Sequence, residues 1–177
     1  DNAATAQDKA DDAFDNAATA QSALNDIADD DKLTPSEKEQ AKTLWDAVYT
    51  ERAGIVSSAS STNVSSSAYT TAYNTLNAYL NTTPDVFNDM STTTTIVRTT
   101  WNTNWSAYYG AKQALLDAIA AALKVIADLA VDNAATAQDK ADDAFDNAAT
   151  AQGLLDNIAD DDYITPNEKP SIQTIWD

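Results

Sequence analysis

The sequence contains no histidine and no cysteine. The commonest general base, thiol nucleophiles, the usual zinc ligand sets and disulfides are therefore all excluded. Three glycines leave no room for a glycine-rich loop of the kind that cradles phosphate. Positive charge is also scarce. Ten Lys and Arg stand against 28 Asp and Glu, a formal charge of −18. Such a field repels phosphate backbones and anionic lipid surfaces, so neither nucleic acid nor membrane is expected as a partner. No apolar run reaches the length of a membrane span. The best, Ala118 to Val131, is interrupted by Lys124 and Asp128. Nor does a charged-then-apolar segment of the signal-peptide type open the sequence.

What the sequence has in abundance is itself. Residues 1–46 recur at 132–177, an offset of 131, with 34 of the 46 positions identical and the first 21 unchanged. On this register the chain opens inside one repeat and stops within the next. A shorter duplication lies inside the opening: DNAATAQ occupies 1–7 and 15–21, fourteen residues apart. Fourteen residues is two heptads. The apolar positions Ala3, Ala6, Ala10, Ala13, Ala17, Ala20, Leu24 and Ile27 alternate steps of three and four. That is the a/d seam of a left-handed coiled coil. The second copy carries it at Ala134, Ala137, Ala141, Ala144, Ala148, Ala151, Leu155 and Ile158. Read backwards, it continues in register through Ala130, Ala127, Leu123, Ala120 and Leu116. A helix over these 43 residues would be roughly 65 Å long.

The width of the apolar face changes along this helix. A second stripe, Leu115, Ile119, Ala122, Ile126 and Leu129, gives the broad face of a bundled helix. Beyond Val131 the matching positions are Asn133, Thr136, Lys140, Asp143, Asn147 and Thr150. The pattern predicts a helix that leaves a bundle near residue 131 and continues as a thin coiled coil. An alanine seam allows close approach but buries little area, so its association is weak unless tethered. Phe14 and Phe145 at e positions are larger anchors. Residues 1–28 have no stripe beyond a/d, which predicts packing between chains as a parallel homotrimer. Leu24 at a and Ile27 at d shift coiled coils away from dimers. The competing reading is an amphipathic helix packed within its own chain.

After a run of aspartates the helix restarts. Thr34 as N-cap, Pro35 at the first helical position and Glu37 at the third form a capping box, repeated at Thr165, Pro166 and Glu168. Pro170, where the first copy has Glu39, should tighten or kink the second start. A helix is predicted over about 35–56, with Leu44, Trp45, Val48, Tyr49, Arg52, Ile55 and Val56 on one side. A loop at 57–66 and a helix at 67–81 follow, the latter with Tyr69, Ala72, Tyr73, Leu76, Tyr79 and Leu80 inward. After a loop containing Pro84, a last helix is predicted from about Thr95, carrying Ile96, Val97, Thr100, Trp101, Trp105, Tyr108 and Tyr109. The STTTTIV stretch has strand propensity, but the helical spacing downstream favours a helix start. The predicted core gathers Trp45, Tyr73, Leu76, Trp101, Trp105 and Leu115. An aromatic sugar platform competes with this reading, yet the aromatics lie at core spacing.

Chemistry-bearing patterns are few. Asp26, Asp30 and Glu37, with Asp29 and Asp31, faintly resemble an acidic calcium loop. With Glu37 as the twelfth position the third is Ala28 and the sixth is Asp31, so a ligand and the glycine of an EF-hand are missing. Asp26 also becomes Asn157 in the second copy. No cofactor or metal is expected, and no pair of carboxylates is marked for glycoside hydrolysis. The sequons at Asn63, Asn81 and Asn104 carry little weight in a chain rich in Ser, Thr and Asn.

Three segments together resemble a known family: LTPSEK…LWD…E at Leu33–Glu51, SAYTTAYNTLNAYLN at Ser67–Asn81, and TIVRTTWNTNWSAYYGAKQALLDAIA from Thr95. They are similar to the helical repeat domain of phage tail-fibre and tail host-specificity proteins, over about 29–120 and again at 160–177. The alanine heptads at 1–28 and 132–159 depart from that pattern. The resemblance implies a virion tail component without enzymatic residues, a rod or spacer that positions receptor-binding modules beside other tail proteins. A stalk or filament subunit of a bacterial surface adhesin, extracellular at the cell surface, is the alternative. The expected fold is all-α, an elongated tandem repeat of three-helix bundles joined by long continuous Ala-rich coiled-coil helices. Its expected divisions are an Ala-heptad helix over 1–31, a three-helix bundle over 32–131, the second-copy helix over 132–162, and the start of the next bundle over 163–177.

Overall fold

The structure, a computed structural model, describes residues 2–27, 29–158 and 163–176. The side chains of Ala3, Ala6, Ala10, Ala13, Phe14 and Ile158, all named above, lie outside those described. The fold is all-α apart from one short strand pairing. Its elements are α1 (Asn2–Ile27), β1 (Lys32–Leu33), α2 (Pro35–Ser61), α3 (Ser67–Asn81), β2 (Thr94–Thr95), α4 (Arg98–Ile158) and α5 (Lys169–Trp176). The chain divides into two compact units, Asp1–Ala127 and Asp128–Asp177. Helix α4 has no break at 128–136.

Local chemistry explains the helix ends. Thr34 caps α2 with extended backbone, and its hydroxyl accepts from the Glu37 amide at 3.4 Å. The Glu37 carboxylate in turn accepts from the Thr34 amide at 2.8 Å. Two otherwise orphaned donors are thereby satisfied. The other end of α2 extends past the expected 56. Asn63 adopts φ 57°, Asn63 N–H donates to Ser60, and Val64 N–H donates to Ala59 at 2.8 Å. This is a Schellman closure, with asparagine in the left-handed position and Val64 packed against the core. Ser57, Ser58, Ser60 and Ser61 are weak helix formers, so propensity alone placed the end too early.

The core of the first unit is aromatic. Trp45 stacks on Tyr73 with ring centroids 5.2 Å apart. Trp101 meets Trp105 edge-on at 5.8 Å, and Trp105 stacks on Tyr109 at 6.0 Å. Tyr73, Leu76 and Leu115 are buried with them, as their spacing predicts. Tyr49, Val97 and Thr100, expected on inward faces, are exposed. The loop between α3 and β2 also enters the core through Val86 and Phe87. It contains a cis bond at Thr83–Pro84 and is tied down by Lys38, whose fully buried ammonium donates to the Asp89 carbonyl at 2.6 Å.

Three expectations are corrected. The bundle has four helices, because α1 belongs to it: Leu24 is fully buried, Ile27 nearly so, and Ala17 and Ala20 pack against the core. The Trp101 indole N–H donates to the Leu24 carbonyl at 3.0 Å. Ala17, Ala20, Leu24 and Ile27, expected on an inter-chain seam, therefore pack within the chain against 32–131. A narrow apolar stripe suffices because large aromatics on α4 reach across to it. Second, Thr94–Thr95 form a strand, antiparallel to β1 with Lys32 opposite Thr95 and Leu33 opposite Thr94, and α4 starts only at Arg98. Third, the second apolar stripe is buried only through Ile119; Ile126 and Leu129 are exposed, so burial ends before 131.

Trp101 and Trp105 are equally buried, but the Trp105 indole N–H meets no acceptor among the described residues. Replacing Trp101 with Phe removes the indole hydrogen bond to the Leu24 carbonyl, an effect of about 0.5–1.5 kcal/mol on top of lost packing. In chemical denaturation, Trp101→Phe is expected to destabilise the bundle more than Trp105→Phe does.

Candidate functional site, the packing face of the repeated helix

The acid turn between α1 and α2 is a latch. Asp31, at φ 60°, accepts through its carbonyl from Ile96 N–H at 2.9 Å, and its carboxylate lies 3.4 Å from the first amide of α4, at Arg98. Asp29 pairs with the Arg98 guanidinium at 2.9 Å. Both partners are exposed, so that ion pair adds little to stability by itself. Asp30 accepts from the Lys32 amide, and the Asp26 carbonyl accepts from Asp29 N–H. Glu37 is committed to its cap. The candidate calcium residues thus serve the chain's own amides, and no three acids gather around a common point among the described residues. Sequence reasoning found the turn but not its partner, since Arg98 lies 69 residues from Asp29.

Above the latch, α1, α2 and α4 enclose an open cleft of about 600 Å³. Ala17, Ala20 and Ala23 line it from α1 beside Asp12, Asn16 and Thr19; Leu44, Val48 and Ile55 line it from α2, and Tyr109 and Leu116 from α4. Alanines at 17, 20 and 23 leave space that larger side chains would occupy. Glu51 and Lys112 also line it, paired at 2.7 Å and mostly buried. The Tyr108 hydroxyl donates to Glu51 at 2.8 Å, and the Tyr69 hydroxyl lies 3.3 Å from that of Tyr108. One network therefore joins α2, α3 and α4. Burial raises the Tyr108 phenol far above its ordinary value, with the Tyr69 hydrogen bond and the Glu51 charge adding. Burial and the Glu51 charge push Tyr109 up to about 12. Beside the network, the Arg52 guanidinium sits 4.4 Å from the Tyr73 ring centre, a cation–π contact. Each of these groups engages another group of the bundle. The arrangement holds helices together.

The second copy presents the same face without cover. In the unit Asp128–Asp177, Ala134, Ala137, Ala141, Ala144 and Ala148 are exposed, as are Leu154, Leu155 and Ile164, and Phe145 is 75% accessible. Thr165 and Glu168 rebuild the capping interaction, the carboxylate accepting from the Thr165 amide and hydroxyl at 2.7 Å. Those bonds hold the Glu168 carboxyl below its usual range. Pro170 has its expected effect: Glu168 N–H donates to Thr165 and Ser171 N–H to Glu168, tight i to i+3 turns, and α5 begins at Lys169.

The described buried positions keep their residue class between the copies. In the first copy the described buried side chains are Leu24, Ile27, Leu33, Lys38, Ala41 and Trp45. Their counterparts are Leu155, Ile158, Ile164, Lys169, Ile172 and Trp176. Twelve of the 46 positions differ, and only Leu33 and Ala41 among them are buried. Both stay aliphatic.

Comparison with known proteins finds no matching family model, no similar curated protein and no similar solved structure.

Two outcomes test this description. Glu37→Ala is expected to cost about 1 kcal/mol in thermal or chemical unfolding through loss of the capping interaction. That cost should be the same with millimolar calcium and with chelator; a calcium-dependent difference would show a ligand role. The tyrosines set an alkaline limit. Their folded pKa values lie above the unfolded value near 10, so the folded state holds more protons and its stability is complete below about pH 10. It should fall as pH rises from 10 toward 12. Tyr109→Phe should flatten that fall in a pH series of unfolding curves.

Proposed function

We propose that this chain is a structural spacer: a repeating helical unit in which one long helix closes a bundle with its first half and opens the following bundle with its second. The observation that carries this reading is the retention of every described buried position of the first copy, in kind, in the second. A solvated tail would be under no packing demand to keep Leu155, Ile158, Ile164 and Trp176. A helix built to receive α2-, α3- and α4-like partners would be.

Three properties suit a spacer. Adjacent bundles that share a helix transmit position along the array without a flexible linker, as in solenoid repeats. The buried polar groups are spent on tying helices together, with Glu51 accepting three hydrogen bonds from two partners, Tyr108 and Lys112. The formal charge of −18 disfavours nonspecific contact with nucleic acid and anionic surfaces. The resemblance to phage tail-fibre and host-specificity repeats gives the setting: a virion tail rod that carries receptor-binding modules away from the body of the particle.

The test is a chain extended by one repeat, with residues 47–131 joined after Asp177. Hydrogen exchange across 132–158 should then slow markedly, and unfolding should expose about twice the surface, seen as a larger denaturant m-value. Exchange there as fast as in the 177-residue chain would overturn the reading.

A further inference from the structure

The face that the second copy leaves open has a ready-made receptor in the first unit of any other copy of this chain. Helix α1 occupies a seat on α2 and α4, and 133–152 repeats its residues 2–21 without a change. Leu155 stands in for Leu24, whose side chain fills that seat and whose carbonyl receives the Trp101 indole N–H. The two helices differ at one position that matters to the cleft. Ala23 borders it in the first copy, and Leu154 is its counterpart in the second. A leucine there fills space that α1 leaves empty.

We propose that residues 132–158 of one chain enter the bundle of a second copy, displace that copy's α1, and close the cleft with Leu154. This rests on the reading above that the second copy is a bundle helix, and it names the partner that face takes between separate chains. The occupant is another copy of this chain because the seat already accepts this sequence. Charge is matched as well, since the incoming helix brings no acid that the identical stretch of α1 lacks over 132–152. The contact is heterologous, donor helix to acceptor bundle, so it leaves an open acceptor at one end and an open donor at the other and propagates. Opposing it, α1 is tethered to its own bundle at an effective concentration of about millimolar. Exchange therefore grows with protein concentration.

The intact 177-residue chain, followed by sedimentation velocity and light scattering over a rising concentration series, tests this. The expected mass increases without stopping at a dimer, and hydrogen exchange slows at 132–158 in the associated species. Ala23→Leu gives α1 the same cleft-filling side chain and should weaken association at least tenfold while raising the thermal midpoint. Leu154→Ala should weaken association to a similar degree while leaving the midpoint unchanged. A chain that stays monomeric throughout the series overturns the proposal. So does association that halts at a dimer or trimer and is indifferent to Ala23→Leu, which marks the 132–158 helices pairing with one another. Neither result touches the spacer reading, because the chain extended by one repeat buries 132–158 within itself whether or not separate chains exchange helices.

Discussion

An alanine-rich helix can lie close to its neighbours, but each alanine removes little apolar surface from water, so most of the holding force has to come from the other side of the contact. That constraint shapes the first unit. Helix α4 supplies two tryptophans and two tyrosines within nine residues, Trp101 to Tyr109, all buried. Their breadth lets a helix with a narrow stripe be held by few points. Leu24 and Ile27 are inserted at the end of α1, and Trp101 adds a hydrogen bond to its backbone. Toward the middle of α1, where Ala17 and Ala20 are the described apolar residues packed against the core, the contact opens into a cleft.

Buried polar groups place the helices around this core. An unpaired amine or carboxylate away from water is costly, so a burial site for one dictates where its partner must be. Lys38 is fully buried and reaches a carbonyl in the α3–β2 loop, which sets the position of a segment with little regular structure. Glu51 draws α4 to α2 through Lys112 and Tyr108, and Tyr69 brings in α3. At the other end the acid turn engages the start of α4 from Asp29 and Asp31. These ties contribute direction more than energy, since the bulk of the burial is aromatic.

The same sequence meets two environments: Ala17 packs beside an aromatic bundle in one copy, and its counterpart Ala148 is exposed in the other. Helical periodicity and alanine content keep both 2–21 and 133–152 helical. Whether their apolar edge is covered depends on what stands opposite, a property of the neighbouring helices. This is the physical basis on which a helix can be shared between bundles or exchanged between chains.

Much of the architecture was legible in the sequence. Period and capping located four of the helices, since Thr34, Pro35 and Glu37 act within one turn and Tyr69 to Leu80 repeat at helical spacing. The core aromatics followed from the same spacing. Tertiary structure alone decided whatever depends on groups distant in the chain. The Asp31–Ile96 bond and the β1–β2 pairing turned Thr94–Thr95 from an expected helix start into a strand. A Schellman closure over Ala59 carried α2 past its serines. The seating of α1 rested on Trp101, 77 residues from Leu24. A sequence pattern states which edge of a helix is apolar, but only the fold shows which side chains are long enough to reach it.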